Sequence, residues 1–229
     1  MTLSSCDVAA IFSPADLVHP EPSLHVPARM AECPGIPVGD RIVRSFLFST
    51  DVAVICHCDA DAVLAVYPFT GHPKIMRALL AAAPCPVFTG VGGSATPPAR
   101  SLELAKAAKA IGMAGVVVNS LVDISAVRAI SAEVDIPLVL TIYELSDVMR
   151  EKIEAGAGIV NVAAGKMTPQ VVSQVREAYP HLRIMASGGH TDATIAATVA
   201  SGADAVSWTP PNIQDIEHDL MNRTRSHAS

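Results

Sequence analysis

Lys166 ends the small-residue run "NVAAGK" in a chain with only 16 lysines and arginines together. A lysine desolvated at a strand end can form an imine with a carbonyl or steady an enolate. Left charged, it can hold a phosphate or carboxylate, or simply stay solvated ahead of a helix. Glu144 follows the apolar run "IPLVLTIY" and is the candidate general acid–base, its alternative being a charge near a helix N-terminus. His72 and His190 stand at the start of helical patterns, where an imidazole can move a proton or only hydrogen-bond. Two glycine-rich turns, "GVGGS" (90–94) and "SGGH" (187–190), offer backbone N–H groups that an anion can approach closely. Gly92, Gly93, Gly188 and Gly189 are therefore candidate substrate-binding positions, and the plain alternative for the second pair is a tight turn.

These residues need elements to bring them together. Eight short runs rich in β-branched and aliphatic residues span 41–49, 61–68, 86–91, 115–119, 136–143, 158–164, 182–187 and 204–208. Each is nearly free of charge, as a strand buried on both faces must be. The segments between them read as helices: His72-Pro73 and Thr168-Pro169 open two, Ser146, Asp123 and Thr191 cap three more, and shorter ones run over 51–58 and 101–111. Ile213, Ile216 and Leu220 stripe the last. "DADAV", "GMAGV", "GAGIV" and "GADAV" precede the second, fourth, sixth and eighth runs. A two-unit alternation repeated four times predicts a single α/β domain, a (βα)8 TIM barrel, over 39–229. A doubly wound open sheet gives no reason for it. Residues 1–38, with six prolines between Ser13 and Pro37, form a Pro-rich N-terminal arm holding at most a short helix.

Composition narrows the function. Half the residues are hydrophobic, 17% are charged and the net charge is −6, with no Lys/Arg cluster, so nucleic-acid binding through a basic face is not expected. Five cysteines in no zinc or disulfide spacing read as reduced thiols. No leader pattern and no unbroken apolar span occurs, which predicts a cytoplasmic protein without a membrane partner. No Walker loop, Rossmann fingerprint or nucleophile elbow is present, and "HCDAD" (57–61) falls at the wrong end of a barrel for a metal site. No cofactor is indicated, although the sequence leaves room for a divalent metal. The expected partners are a small anionic substrate and further copies of the chain as a homo-oligomer.

In a barrel, function gathers where the strands end. That rule adds Thr50, Asp51, Tyr67, Thr70, Asn119 and Asn161 as substrate-binding candidates beside His190, although Asp51 can equally cap its helix. Together, "FLFSTDVAVI", "DADAVLAVYPFTGHP", "PVFTGVGG", "IVNVAAGKMTP" and "ASGGHTDATIAATVASGADAVSWTPP" resemble a family of bacterial barrel proteins usually labelled hydrolase. The resemblance runs from about Val38 to Asn212 and implies a (βα)8 barrel. It puts weight on Thr50, Asp51, Tyr67, Thr70, Gly90, Gly92, Gly93, Asn119, Asn161, Lys166, Gly188 and Gly189. The late "GG…GA.AV" pattern is more distantly similar to phosphosugar epimerases and class I aldolases, several of which carry an imine-forming lysine on the sixth strand. Phosphate-binding barrels usually have a Gly-Ser or Gly-Thr pair after strand eight, whereas this chain has "WTPPN". The expectation is lyase- or isomerase-type chemistry on an anionic, phosphorylated or carbonyl-bearing metabolite, with Lys166, Glu144 and His72 as the catalytic residues. The alternatives are a hydrolase using a Glu- or His-activated water and a non-catalytic metabolite sensor.

Overall fold

Eight nearly uncharged aliphatic runs can all be buried at once only if neighbours cover both faces, and a closed parallel sheet wrapped in helices does this. A computed structural model describes residues 19–93, 96–189 and 191–227, in which the chain takes that form. Its strands are β3 (Ser45–Phe48), β4 (Ala62–Ala65), β5 (Val87–Gly92), β6 (Gly115–Val118), β7 (Leu138–Ile142), β8 (Ile159–Val162), β9 (Arg183–Ser187) and β10 (Ala205–Trp208). Each pairs in parallel with the next, and β10 pairs with β3 to close the ring. The covering helices are α1 (Val52–Cys56), α2 (Pro73–Ala82), α3 (Pro98–Ile111), α4 (Ile124–Glu133), α5 (Asp147–Glu154), α6 (Thr168–Ala178), α7 (Asp192–Ala200) and α8 (Ile213–His227).

The first expected run is not one strand. It breaks at Arg44, whose N–H and that of Ser45 both donate to the Asp61 carboxylate, at 2.8 and 3.0 Å. Residues before the break form β2 (Arg41–Val43), which pairs antiparallel with β1 (Ile36–Val38). Ile36, Val38 and Val43 are buried and pack with Phe46, Phe88 and Met185 of the barrel interior. The hairpin therefore plugs the end from which the strands start. Ahead of it, a 3-10 turn over Ala28–Glu32 buries Met30, and the Leu24 segment bridges to Cys58. Residues 1–18 of the Pro-rich arm, Cys6 included, lie outside the described residues.

The alternation in the sequence has a packing cause. At its plugged end the interior sets bulky residues of β3, β5 and β9 (Phe46, Phe88, Met185) against small ones of β4, β6 and β10 (Ala62, Gly115, Ala205). Phe46 and Phe88 meet edge to face with ring centroids 5.3 Å apart. A Cβ on Gly115 would stand 2.3 Å from the Phe88 ring, so only glycine admits that ring. The aspartates of "DADAV" and "GADAV" perform one task in two places. Asp61 accepts the N–H groups that begin β3, and Asp204 accepts Ile184 N–H in β9 at 2.8 Å. Asp204 also holds the Arg176 guanidinium at 2.7 Å, while Arg176 donates to the carbonyls of Gly202, Pro180 and Leu182.

Most helix starts follow the sequence. Asp51, His72, Asp123 and Thr191 accept backbone N–H groups of their first turns. Ser146 makes no side-chain cap, and α3 begins at Pro98 rather than 101. Thr168 does not cap either: it is the first residue of α6, and its Oγ1 accepts the Ala164 N–H. Among the described residues no helix is long and apolar enough to cross a membrane.

Cys33, Cys56, Cys58 and Cys85 are free thiols. Burial pushes the Cys58 thiol from its ordinary 9.0 to about 11, and that of Cys33 to about 11 as well. A thiol that stays protonated in the fold but ionises in the unfolded chain contributes stability that is complete below pH 9 and is lost as pH rises toward 11. Cys58→Ala is expected to flatten the fall in urea stability between pH 9 and 11 by up to about 2 kcal/mol. An unchanged pH slope would refute it.

Candidate functional site

The parity of the strands decides what faces the mouth of the barrel. Val139, Ile159, Met185 and Ala205 point inward, so the residues two positions later, Thr141, Asn161, Ser187 and Ser207, point inward as well. Each is the lone inward-facing polar side chain of its strand. Thr141 and Asn161 are register partners, and Asn161 Nδ2 donates to Thr141 Oγ1 at 3.2 Å. Ser187 and Ser207 are register partners too, with hydroxyls 3.5 Å apart. All four line a cavity of about 320 Å³ at the carboxyl ends of the strands. That is the low end of the range for small-molecule sites, about 300–1,000 Å³.

Asn161 is the distinctive residue. It is 5% exposed, and its Oδ1 has no hydrogen-bond partner. A buried amide group left unpaired costs about 1–3 kcal/mol. If the amide were turned over, Oδ1 would receive the Thr141 hydroxyl and Nδ2 would be left over instead. In either orientation one polar atom of Asn161 remains for a molecule in the cavity. Tyr67, on the opposite wall, accepts the His72 backbone N–H at 3.1 Å. That bond fixes the phenol and leaves its O–H to donate.

The residues expected from the sequence divide into two groups. Tyr67, Gly90, Gly92, Gly93, Asn119 and Asn161 line the cavity. Gly93 leaves room for Asn119, whose amide nitrogen would lie 2.5 Å from a Cβ there. Asn119 Oδ1 accepts the Leu121 N–H and shapes the loop after β6. The others do not line it. Thr50 is exposed, and the Asp51 carboxylate is engaged by the N–H groups of Ala53 and Val54. Thr70 is exposed, with its hydroxyl 3.5 Å from that of the cavity residue Thr96. His72 Nδ1 accepts the Lys74 N–H as the cap of α2. Glu144 is exposed in the loop after β7, and Lys166 is exposed in the 3-10 turn Gly165–Met167 after β8. Gly188 and Gly189 have local reasons. A Cβ on Gly188 would meet Val206 at 2.4 Å, and Gly189 takes a φ of +75° beside Thr194. His190 and Ser94 lie outside the described residues.

Thr141 and Ser207 are not among the residues expected from the sequence, and Ser187 enters there only as the first residue of "SGGH". Their signal was the single polar residue two places beyond an inward apolar one. "HCDAD" is structural: Asp59 accepts the Val26 N–H and pairs with His25 at 2.8 Å, tying the arm down. Among the described residues no group of three His, Cys, Asp or Glu is placed to hold a metal, and no carboxylate lines the cavity. Mg2+ prefers carboxylate oxygens, so the described lining does not suit it.

No family model matches the sequence, and no curated protein does either. Solved structures share the architecture. The 4-hydroxy-tetrahydrodipicolinate synthase of Methylacidiphilum fumariolicum SolV is 18% identical over 74% of this chain and 68% of its own, with a TM-score of 0.60. A phosphoenolpyruvate phosphomutase from Streptomyces platensis subsp. rosaceus is 13% identical over 80% and 79%, with a TM-score of 0.59. A phosphonopyruvate hydrolase solved with oxalate and Mg2+ is 14% identical over 80% of each chain, with a TM-score of 0.56. At these identities the likeness is one of fold, a TIM barrel shared with enzymes. It lends no support to hydrolase as a family label.

Proposed function

We propose that this barrel is a lyase- or isomerase-type enzyme acting on a small anionic, carbonyl-bearing metabolite held in the mouth cavity. The observation that carries the proposal is Asn161, a buried amide at the sixth barrel strand with one polar atom unpartnered in the cavity. An amide there can orient a carbonyl or enol by hydrogen bonding but cannot form an imine. Tyr67 donates the proton, its oxygen held by the His72 N–H. Lys166 and Glu144 occupy the loops after β8 and β7, the strands that carry Asn161 and Thr141. From that rim Lys166 supplies a cation for the anionic end of the substrate, and Glu144 a base. Two of the compared barrels have three-carbon anions, phosphoenolpyruvate and phosphonopyruvate, in their names.

The test is proton exchange. The protein is incubated in D2O with a panel of 2-oxo acids and phosphorylated carbonyl compounds, and loss of the hydrogens next to the carbonyl is followed by proton NMR. Tyr67→Phe is expected to slow that exchange by about 10²–10³-fold with little change in KM. A variant as fast as the parent would remove Tyr67 from the chemistry. A second reading, a metabolite sensor, is favoured by one observation: among the described lining residues no side chain other than the Tyr67 phenol is ionisable. Binding without exchange or turnover across the panel would select it.

A further inference from the structure

The cavity wall is divided by strand. From β7 to the residue after β10 it presents Thr141, Asn161, Ser187, Ser207 and Thr209, with Ala163 as the apolar exception. From β3 to the loop after β4 it presents Phe48, Leu64, Val66, Pro68 and Phe69, with Tyr67 as the polar exception. The apolar wall continues outward. Phe69 is 78% exposed and Phe48 39% exposed, both at the lip of the cavity. A single exposed phenylalanine is ordinary, but an apolar strip continuous with a polar pocket marks a surface built for a ligand. Two aromatic side chains held in water also gain from any apolar group laid against them.

We infer that the substrate is amphiphilic: its polar head sits against Asn161 and Thr141, and an aromatic or branched aliphatic portion lies along Phe48 and Phe69. This rests on the functional reading above, and it narrows the substrate from any small anion to one with an apolar side. The polar arc lies on the strands whose loops carry Glu144 and Lys166, so head and charge fall on one side and the apolar portion on the other.

Matched probes test it: glycolate with mandelate, pyruvate with phenylpyruvate, and acetamide with phenylacetamide, their dissociation constants read by ligand-observed NMR. For each accepted head, the phenyl member is expected to bind about tenfold more tightly. That ratio is expected to fall to about two or less in Phe69→Ala and in Phe48→Ala, which remove exposed side chains. Equal affinities within the pairs, or a ratio that neither substitution alters, would overturn the inference. The functional reading would stand in that case if Asn161→Ala still weakened both members of a pair. Asn161→Ala without effect on either member would defeat the functional reading and the inference together. So would a panel in which no probe binds at millimolar concentration.

Discussion

Asn161→Ala is expected to weaken binding of the best ligand from the 2-oxo acid panel about 10- to 100-fold while the protein melts within about 2 °C of the parent. The binding loss follows from removing a buried hydrogen-bonding partner, worth about 1–3 kcal/mol. The small stability effect follows from the present state of the side chain. Its Nδ2 makes one bond to Thr141 and its Oδ1 makes none, so the fold gains little from the amide it buries. Titration calorimetry and thermal melting separate the two. Unchanged affinity would show that Asn161 does not face the ligand, and a large drop in melting temperature would make it a structural residue.

Asp204→Ala is expected to have the opposite profile, with a stability loss of about 3 kcal/mol and no direct effect on ligand affinity. Asp204 is 8% exposed, and its carboxylate serves two partners, the half-buried Arg176 guanidinium and the buried Ile184 N–H. Removing one member of a buried ion pair costs about 3–5 kcal/mol because the other charge stays behind. Arg176 is about a quarter exposed and keeps three carbonyl acceptors, which places the expected loss at the lower end. For a chain of this length that is about 6–12 °C in melting temperature. The double change Asp204→Ala with Arg176→Met should recover part of it, since the stranded charge is gone. A loss below about 1 kcal/mol in the single variant would show the clamp to be ornamental.

The barrel was legible because its cause is periodic. Eight nearly uncharged aliphatic runs reflect burial on both faces, and three of the four repeats set a small residue of an even strand beside a bulky one of its neighbour; the remaining pair, β7 and β8, sets Val139 beside Ile159. What was hidden depended on partners distant in sequence. The break at Arg44 is made by Asp61, and the run "RIVRSFLFS" gives no local sign of it. The candidate site was half legible. Tyr67, Asn119, Asn161, Gly92 and Gly93 follow from the rule that function lies beyond the strand ends. Thr141, Ser187 and Ser207 needed the inward parity of each strand, which the register of the closed barrel supplies. Of the polar and charged loop residues the sequence offers, His72 and Asp51 are engaged in capping, while Glu144 and Lys166 stand exposed at the rim, outside the cavity lining.

The hairpin of β1 and β2 has a kinetic consequence. By filling the end where the strands begin with Ile36, Val38 and Val43, it leaves the cavity among the described residues to open at the carboxyl ends. A molecule that enters by this mouth leaves by it as well. Under the proposed function, a departing product and an arriving substrate share the same passage, and each excludes the other.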